Sequence, residues 1–179
     1  MRRSFAHWPK IGLALAALFL IVSLQPGYLF WVWIQIPIYF LHQFEEHGWP
    51  GGFQHFANQK LFHSRNENAP FNSTNIFWIN FSLIWVLFPL VALYAQYINP
   101  DAGVFLPIFS LLNAATHILA LILKRQYNPG LITATFLMIP FASAAVILSP
   151  WVHWTNTLIA FAAALFIHLA IVLYATRKT

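Results

Sequence analysis

The chain has 179 residues, 60% of them hydrophobic and only 7% charged, against about 25% charged in an ordinary soluble domain. So few charges could not cover a soluble surface, and the absence of cysteine excludes disulfides, thiolate metal sites and a thiol nucleophile. The net charge of +5 would suggest nucleic acid in a soluble protein, but here the basic residues sit in short loops between apolar runs and point to membrane topology instead.

A bilayer core takes about 20 apolar residues per helix. The first run, Trp8 to Gln25, follows Arg2 and Arg3 and so resembles a signal peptide. It ends Ser23-Leu24-Gln25-Pro26 with no small-x-small cleavage site, and therefore reads as a span. The second run is Tyr28 to Glu46, after the turn Pro26-Gly27. Residues 47–75 form the one long loop, too long for a bare connector, with an interfacial helix expected around Phe53 to Phe62. The remaining runs are Ile76 to Tyr97, Gly103 to Leu123, Pro129 to Leu148 and Thr155 to Ala175, separated by Asn99-Pro100-Asp101, Asn128-Pro129-Gly130 and Ser149-Pro150. The expectation is one all-α domain, a transmembrane helical bundle of about six spans.

With six spans, Arg2, Arg3, Lys10, Lys60, Arg65, Lys124, Arg125, Arg177 and Lys178 all fall on one side, and the short loops of the other side carry only Asp101. Basic residues are retained in the cytoplasm, so both termini are expected inside, in a multi-pass plasma or inner membrane protein. A five-span reading would scatter the same charges over both sides.

Acids are scarce: Glu45, Glu46, Glu67 and Asp101. Two of them close an apolar helix in Leu41-His42-Gln43-Phe44-Glu45-Glu46-His47. His42 stands three and four residues before them, on one helical face. Ionisable groups near hydrocarbon usually face a protein interior or a wet cavity. His42, His117 and His168 lie at about 9, 10 and 13 Å from the inner surface by the helical rise, on helices that all run inward. Asn113 shares a face with His117, and Asn80 begins the third span near that level. Such a set can bind a divalent metal or transfer protons. The plainer alternatives are solvated carboxylates at a helix end, hydrogen-bonded core histidines, and asparagines that bridge helices. His7, His47, His55 and His63 are expected to be solvated, and His153 lies on the outer side.

At these residues the chain resembles the HXXEE-domain family of small bacterial membrane proteins. The motifs that carry the resemblance are His42-Gln43-Phe44-Glu45-Glu46, Asn113-Ala114-Ala115-Thr116-His117 and Tyr127-Asn128-Pro129-Gly130, in that order over roughly residues 30 to 145. The resemblance implies no settled activity. Tyr127 to Gly130 sits in the cytoplasmic turn that opens the fifth span, with Thr133 one turn later, so this turn could close over the site.

Three functions compete. In a metal-dependent membrane enzyme, His42, Glu45 or Glu46, His117 and His168 would ligate zinc or iron. The spare glutamate would be general base, with Asn113 and Tyr127 assisting in hydrolysis of a lipid or other apolar substrate. Alternatively, Glu45 and Glu46 act without metal as acid and base in a lipid or isoprenoid isomerase. A loose likeness to glutamate-dependent intramembrane proteases fails, because no arginine follows Glu46 at helical spacing. A small transporter would also place ionisable groups in the membrane, but the outer halves of the helices carry almost none. Membrane lipids and an apolar small molecule are the expected partners, and no nucleic acid is.

Overall fold

The computed structural model describes residues 7–149 and 153–178. Arg2 and Arg3 of the charge argument, and Pro150 of the last turn, lie outside them. Seven helices make up the described fold, and no strand occurs among the described residues. Helix α1 is Trp8–Ser23. Helix α2 covers 28–47 as two segments, Tyr28–Trp33 and Gln35–His47, that meet at Ile34. Helix α3 covers 53–61 within the long loop. Helices α4, α5, α6 and α7 are Ser73–Tyr97, Pro100–Lys124, Leu131–Ile147 and Trp154–Thr176.

Helices α4, α5 and α7 are long and apolar enough to cross a membrane, while α1 and α6 are shorter apolar helices. Their outward faces carry exposed Leu93, Ile122, Phe136, Phe166 and Leu173, the surface that lipid rather than water would cover.

Proline explains the local irregularities. Pro37 cannot donate a bond to Trp33, and α2 is interrupted at Ile34, although Ile34 keeps helical dihedrals. In α4 and α6 the residue before an interior proline reaches back five positions instead of four. The Phe88 N–H bonds Leu83 O ahead of Pro89, and the Ile139 N–H bonds Ala134 O ahead of Pro140.

The core runs along the bundle axis through Ile36, Phe40, Ile84, Phe88, Leu106, Phe109 and Met138. Between helices it is lined by small residues, and Ala92, Ala95, Ala114, Ala142 and Ala164 are all buried. Small side chains let the backbones approach closely, which is how helices associate in lipid. Gly103 marks the tightest approach: a Cβ there would stand 2.6 Å from Val32 Cγ2 and 3.2 Å from Ala95.

Helix α3 does not stand free of the bundle. Buried Asn58 donates to Glu67 O at 2.8 Å and to Phe71 O at 2.7 Å, and its Oδ1 accepts from Phe71 N at 3.0 Å. These bonds tie the 62–72 segment to α3, and Phe53, Phe62 and Phe71 pack with Trp8 and Ile76 in a second apolar cluster. The long loop is thus an aromatic cover over one end of the bundle.

Candidate metal centre

Helix α2 delivers His42, Glu45 and Glu46 to the covered end, and all three are buried. The i to i+4 spacing puts His42 and Glu46 side by side, with Nε2 to Oε1 3.6 Å. Helix α5 brings His117 from the opposite wall, its Nε2 3.4 Å from the same oxygen. The ligating atoms of His42, Glu46 and His117 all lie within 4.8 Å of one another, so the group could hold a metal ion. Two nitrogens and an oxygen bound at about 2.1 Å to a tetrahedral ion would stand about 3.4 Å apart, close to the two nitrogen–oxygen distances.

Hydrogen bonds on the far side of each ring place one proton on each Nδ1. His117 Nδ1 lies 2.7 Å from Asn128 Oδ1. Asn128 is held in that orientation because its Nδ2 donates to His117 O at 3.0 Å. His117 Nδ1 is therefore a donor. His42 Nδ1 lies 2.8 Å from Thr133 Oγ1. The Thr133 hydroxyl donates to Glu45 Oε2 at 2.6 Å, so it must accept from His42. When the rings are neutral, the Nε2 lone pair of each is then left to face Glu46. Asn113 Nδ2 lies 2.9 Å from His42 Nε2 and donates to it; a cation taking that lone pair would displace Asn113.

The structure separates the two glutamates that the sequence places together. Glu45, expected as a ligand or base, points into the turn that opens α6. Its Oε1 accepts from the Tyr127 hydroxyl at 2.8 Å and from Ile132 N at 3.0 Å. Its Oε2 accepts from Thr133 N at 2.7 Å as well as from the Thr133 hydroxyl. A carboxylate at a helix N-terminus is well placed electrostatically, so Glu45 anchors the turn and, through Thr133, orients His42. Tyr127 accordingly touches Glu45 rather than the centre. Partial burial and the adjacent carboxylate push its phenol pKa up, so it stays a donor.

His168 also stands apart. Its Nδ1 donates to Ala164 O at 2.8 Å, and its ring packs on Phe109 with centroids 4.5 Å apart. In the other direction, His47 is drawn in rather than solvated. Helix α2 runs one residue further than the sequence suggests, and the Trp8 and Phe53 rings flank His47 at 5.0 and 5.3 Å. Its Nε2 lies 3.3 Å from Glu46 Oε2.

The Tyr-Asn-Pro-Gly turn does close over the centre. Gly130 has φ +97°, and a Cβ there would lie 2.6 Å from Cε1 of both His42 and His117 and 2.9 Å from Glu46 Cγ. Only glycine fits that conformation and that space.

Sequence reasoning missed Asn128 and Gln43. Asn128 hides inside the turn motif as its variable position. Gln43 is fully buried; it donates to Asn80 at 2.9 Å and accepts from Trp85 at 3.1 Å. Its position inside an apolar helix was the available signal.

Beside the centre lies a cavity of about 220 Å³. Glu46, Asn113, His117 and Asn128 contribute to one part of its wall, while Phe53, Phe56, Phe62 and Phe71 from the cover and Ile79 and Leu83 from α4 make it mainly apolar.

Fold and site together define an all-α protein with apolar, membrane-length helices and a buried His–Glu group that could hold a metal. The chain belongs to the family described as proteins of unknown function with an HXXEE motif, whose model matches residues 33–145. No curated protein and no solved structure matches it. In this chain the His and second Glu of the family motif meet at the centre, while the first Glu holds the turn that covers it.

Proposed function

We propose that the protein is a multi-pass enzyme of the plasma or inner membrane, with six spans and both termini inside. It would use a divalent metal, zinc or iron, held by His42, Glu46 and His117 to hydrolyse a lipid or other apolar substrate. One observation carries the reading. Two imidazole Nε2 lone pairs, fixed by Thr133 and Asn128, converge on one buried carboxylate. Lone pairs and an anion repel unless a cation lies among them. Two histidines and a carboxylate are the donor set of open catalytic zinc sites and of non-haem iron sites.

When bound, such an ion supplies Lewis acidity toward a carbonyl and toward water. The chain's own groups supply the rest. The apolar cavity receives the substrate chain, and the aromatic cover excludes bulk water. With Glu45 committed to the turn, Glu46 Oε2 and His47 are the pair placed to take a proton from water and return it to the departing alcohol.

A second reading is favoured by Asn113, which already satisfies His42 Nε2. A single proton between His117 and Glu46 would then complete the group, giving metal-free acid–base catalysis such as an isomerisation.

Elemental analysis of the purified protein separates the two. About one ion per chain, lost in Glu46→Gln and in His117→Ala, supports the metal reading. A folded wild type with no metal at any loading would sink it in favour of acid–base chemistry.

The orientation rests on the basic residues and is supported by the contacts at the two ends of the helices. Lys124 lies 3.5 Å from His63, and Asn75 bonds Tyr174 at 2.6 Å, while Asp101 bonds Asn156 at 2.6 Å at the other end. A reporter fused at Asp101 should read outside; a cytoplasmic signal there would overturn the six-span arrangement.

A further inference from the structure

Two polar groups in the cavity wall take no part in the centre. Tyr39 is only 4% exposed, so its side chain is enclosed in the core. Its ring is held edge-on by His42 at 5.5 Å and Phe88 at 5.1 Å, yet its hydroxyl has no hydrogen-bond partner among the described residues while it lines the cavity. A hydroxyl that opens only into a mainly apolar cavity is a donor available to a ligand there.

His168 lines the cavity from α7, an otherwise apolar wall. Because Ala164 O can only accept, His168 Nδ1 carries the proton and its Nε2 is left as an acceptor with no protein partner among the described residues. Both rings pack on Phe109, Tyr39 at 6.0 Å and His168 at 4.5 Å between centroids, and both line the same cavity.

We propose that Tyr39 and His168 form a recognition site for a hydroxyl group on an otherwise apolar ligand, so that the substrate of this cavity is a long-chain or isoprenoid alcohol, or a lipid that carries one. A hydroxyl can accept from the Tyr39 O–H and donate to His168 Nε2, whereas a hydrocarbon or ether leaves His168 unanswered. A site built to hydrogen-bond a hydroxyl rejects the analogue that lacks it. This assignment rests on the cavity being the substrate pocket of the proposed enzyme, and it makes His168 a specificity residue rather than a metal ligand.

The test uses the full chain in lipid nanodiscs, with a long-chain alcohol bearing a diazirine on its chain and the methyl ether of the same probe. Photolabelling is mapped by peptide mass spectrometry, and bound metal is measured on the same samples. In the wild type the alcohol should label the cavity wall about five-fold more than the ether, the ratio one neutral hydrogen bond implies. His168→Leu should bring the ratio near one, His168→Gln, which keeps an acceptor, should retain most of it, and Tyr39→Phe, which removes a bond that both probes accept, should lower labelling by both while the ratio stays at about five.

Equal labelling by alcohol and ether in the wild type overturns the proposal. So does a ratio unchanged in His168→Leu, or one lost as fully in His168→Gln as in His168→Leu. Selective labelling by a protein without metal would remove the metal reading and leave the recognition site standing. Bound metal without selective labelling would do the reverse.

Discussion

At the end of the bundle that carries Asp101, helices meet through small residues: Gly103 lies against Val32 and Ala95, and buried Trp33 bonds Gln96 at 2.9 Å. At the end that carries Lys124, they meet through buried His42, Gln43, Glu45, Glu46, His117 and Asn128, each tied to a neighbour by hydrogen bonds or by contact with Glu46. The same helices build both ends. Close packing suffices where only association is needed. Polar groups are costly to bury unless satisfied, so their concentration at one end is what singles that end out as the candidate site.

Substitutions at the two ends should therefore fail differently. The largest effect is expected from Gly130→Ala. The new methyl meets two imidazoles and sits on a backbone with φ +97°, so bound metal should be lost and stability should fall by about 2 kcal/mol or more. Elemental analysis and thermal unfolding in detergent read both. Retention of metal by this variant would contradict the placement of the turn.

Next is Gly103→Ala at the other end. Its methyl meets Val32 at 2.6 Å, and overpacking should cost about 1–3 kcal/mol. The folded fraction should still carry its full complement of metal. Loss of metal without loss of fold would erase the distinction between the two ends.

A smaller effect belongs to Thr133→Val. It removes the hydroxyl that passes orientation from Glu45 to His42, and affinity for the metal should weaken about 10- to 100-fold. Thr133→Ser should restore it. Competition against a chelator measures this, and equal affinities for Val and Ser would remove the relay.

The smallest change is expected from Tyr127→Phe. The phenol is 42% exposed, and Glu45 keeps its backbone and Thr133 donors, so the loss should be about 1 kcal/mol of stability with metal retained.

Hydropathy made the helices legible: Tyr28 to Glu46 and Thr155 to Ala175 differ from the helices found by at most one residue at each end. The charge pattern pointed to the end that carries the candidate centre, where Lys124 lies 3.5 Å from His63 of the long loop. Helical periodicity put His42, Glu45 and Glu46 on one face, and the turn motif was read as able to close over them; Gly130 of that turn lies against His42, His117 and Glu46. Periodicity could not distinguish Glu45 from Glu46. Both lie within one turn of His42, and only the distant N-terminus of α6 draws Glu45 aside. Nor could depth alone place His168, since depth fixes a level and not an azimuth. His47 was hidden for a related reason: Gly48 signals a helix end, but the residue before it is held by Trp8 from another helix.

X-ray absorption at the metal edge tests the centre most directly. The account predicts two imidazole nitrogens and one carboxylate oxygen at about 2.0–2.2 Å, with one imidazole lost in His117→Ala. An all-oxygen shell with no imidazole scattering, or a spectrum unchanged in His117→Ala, would contradict it.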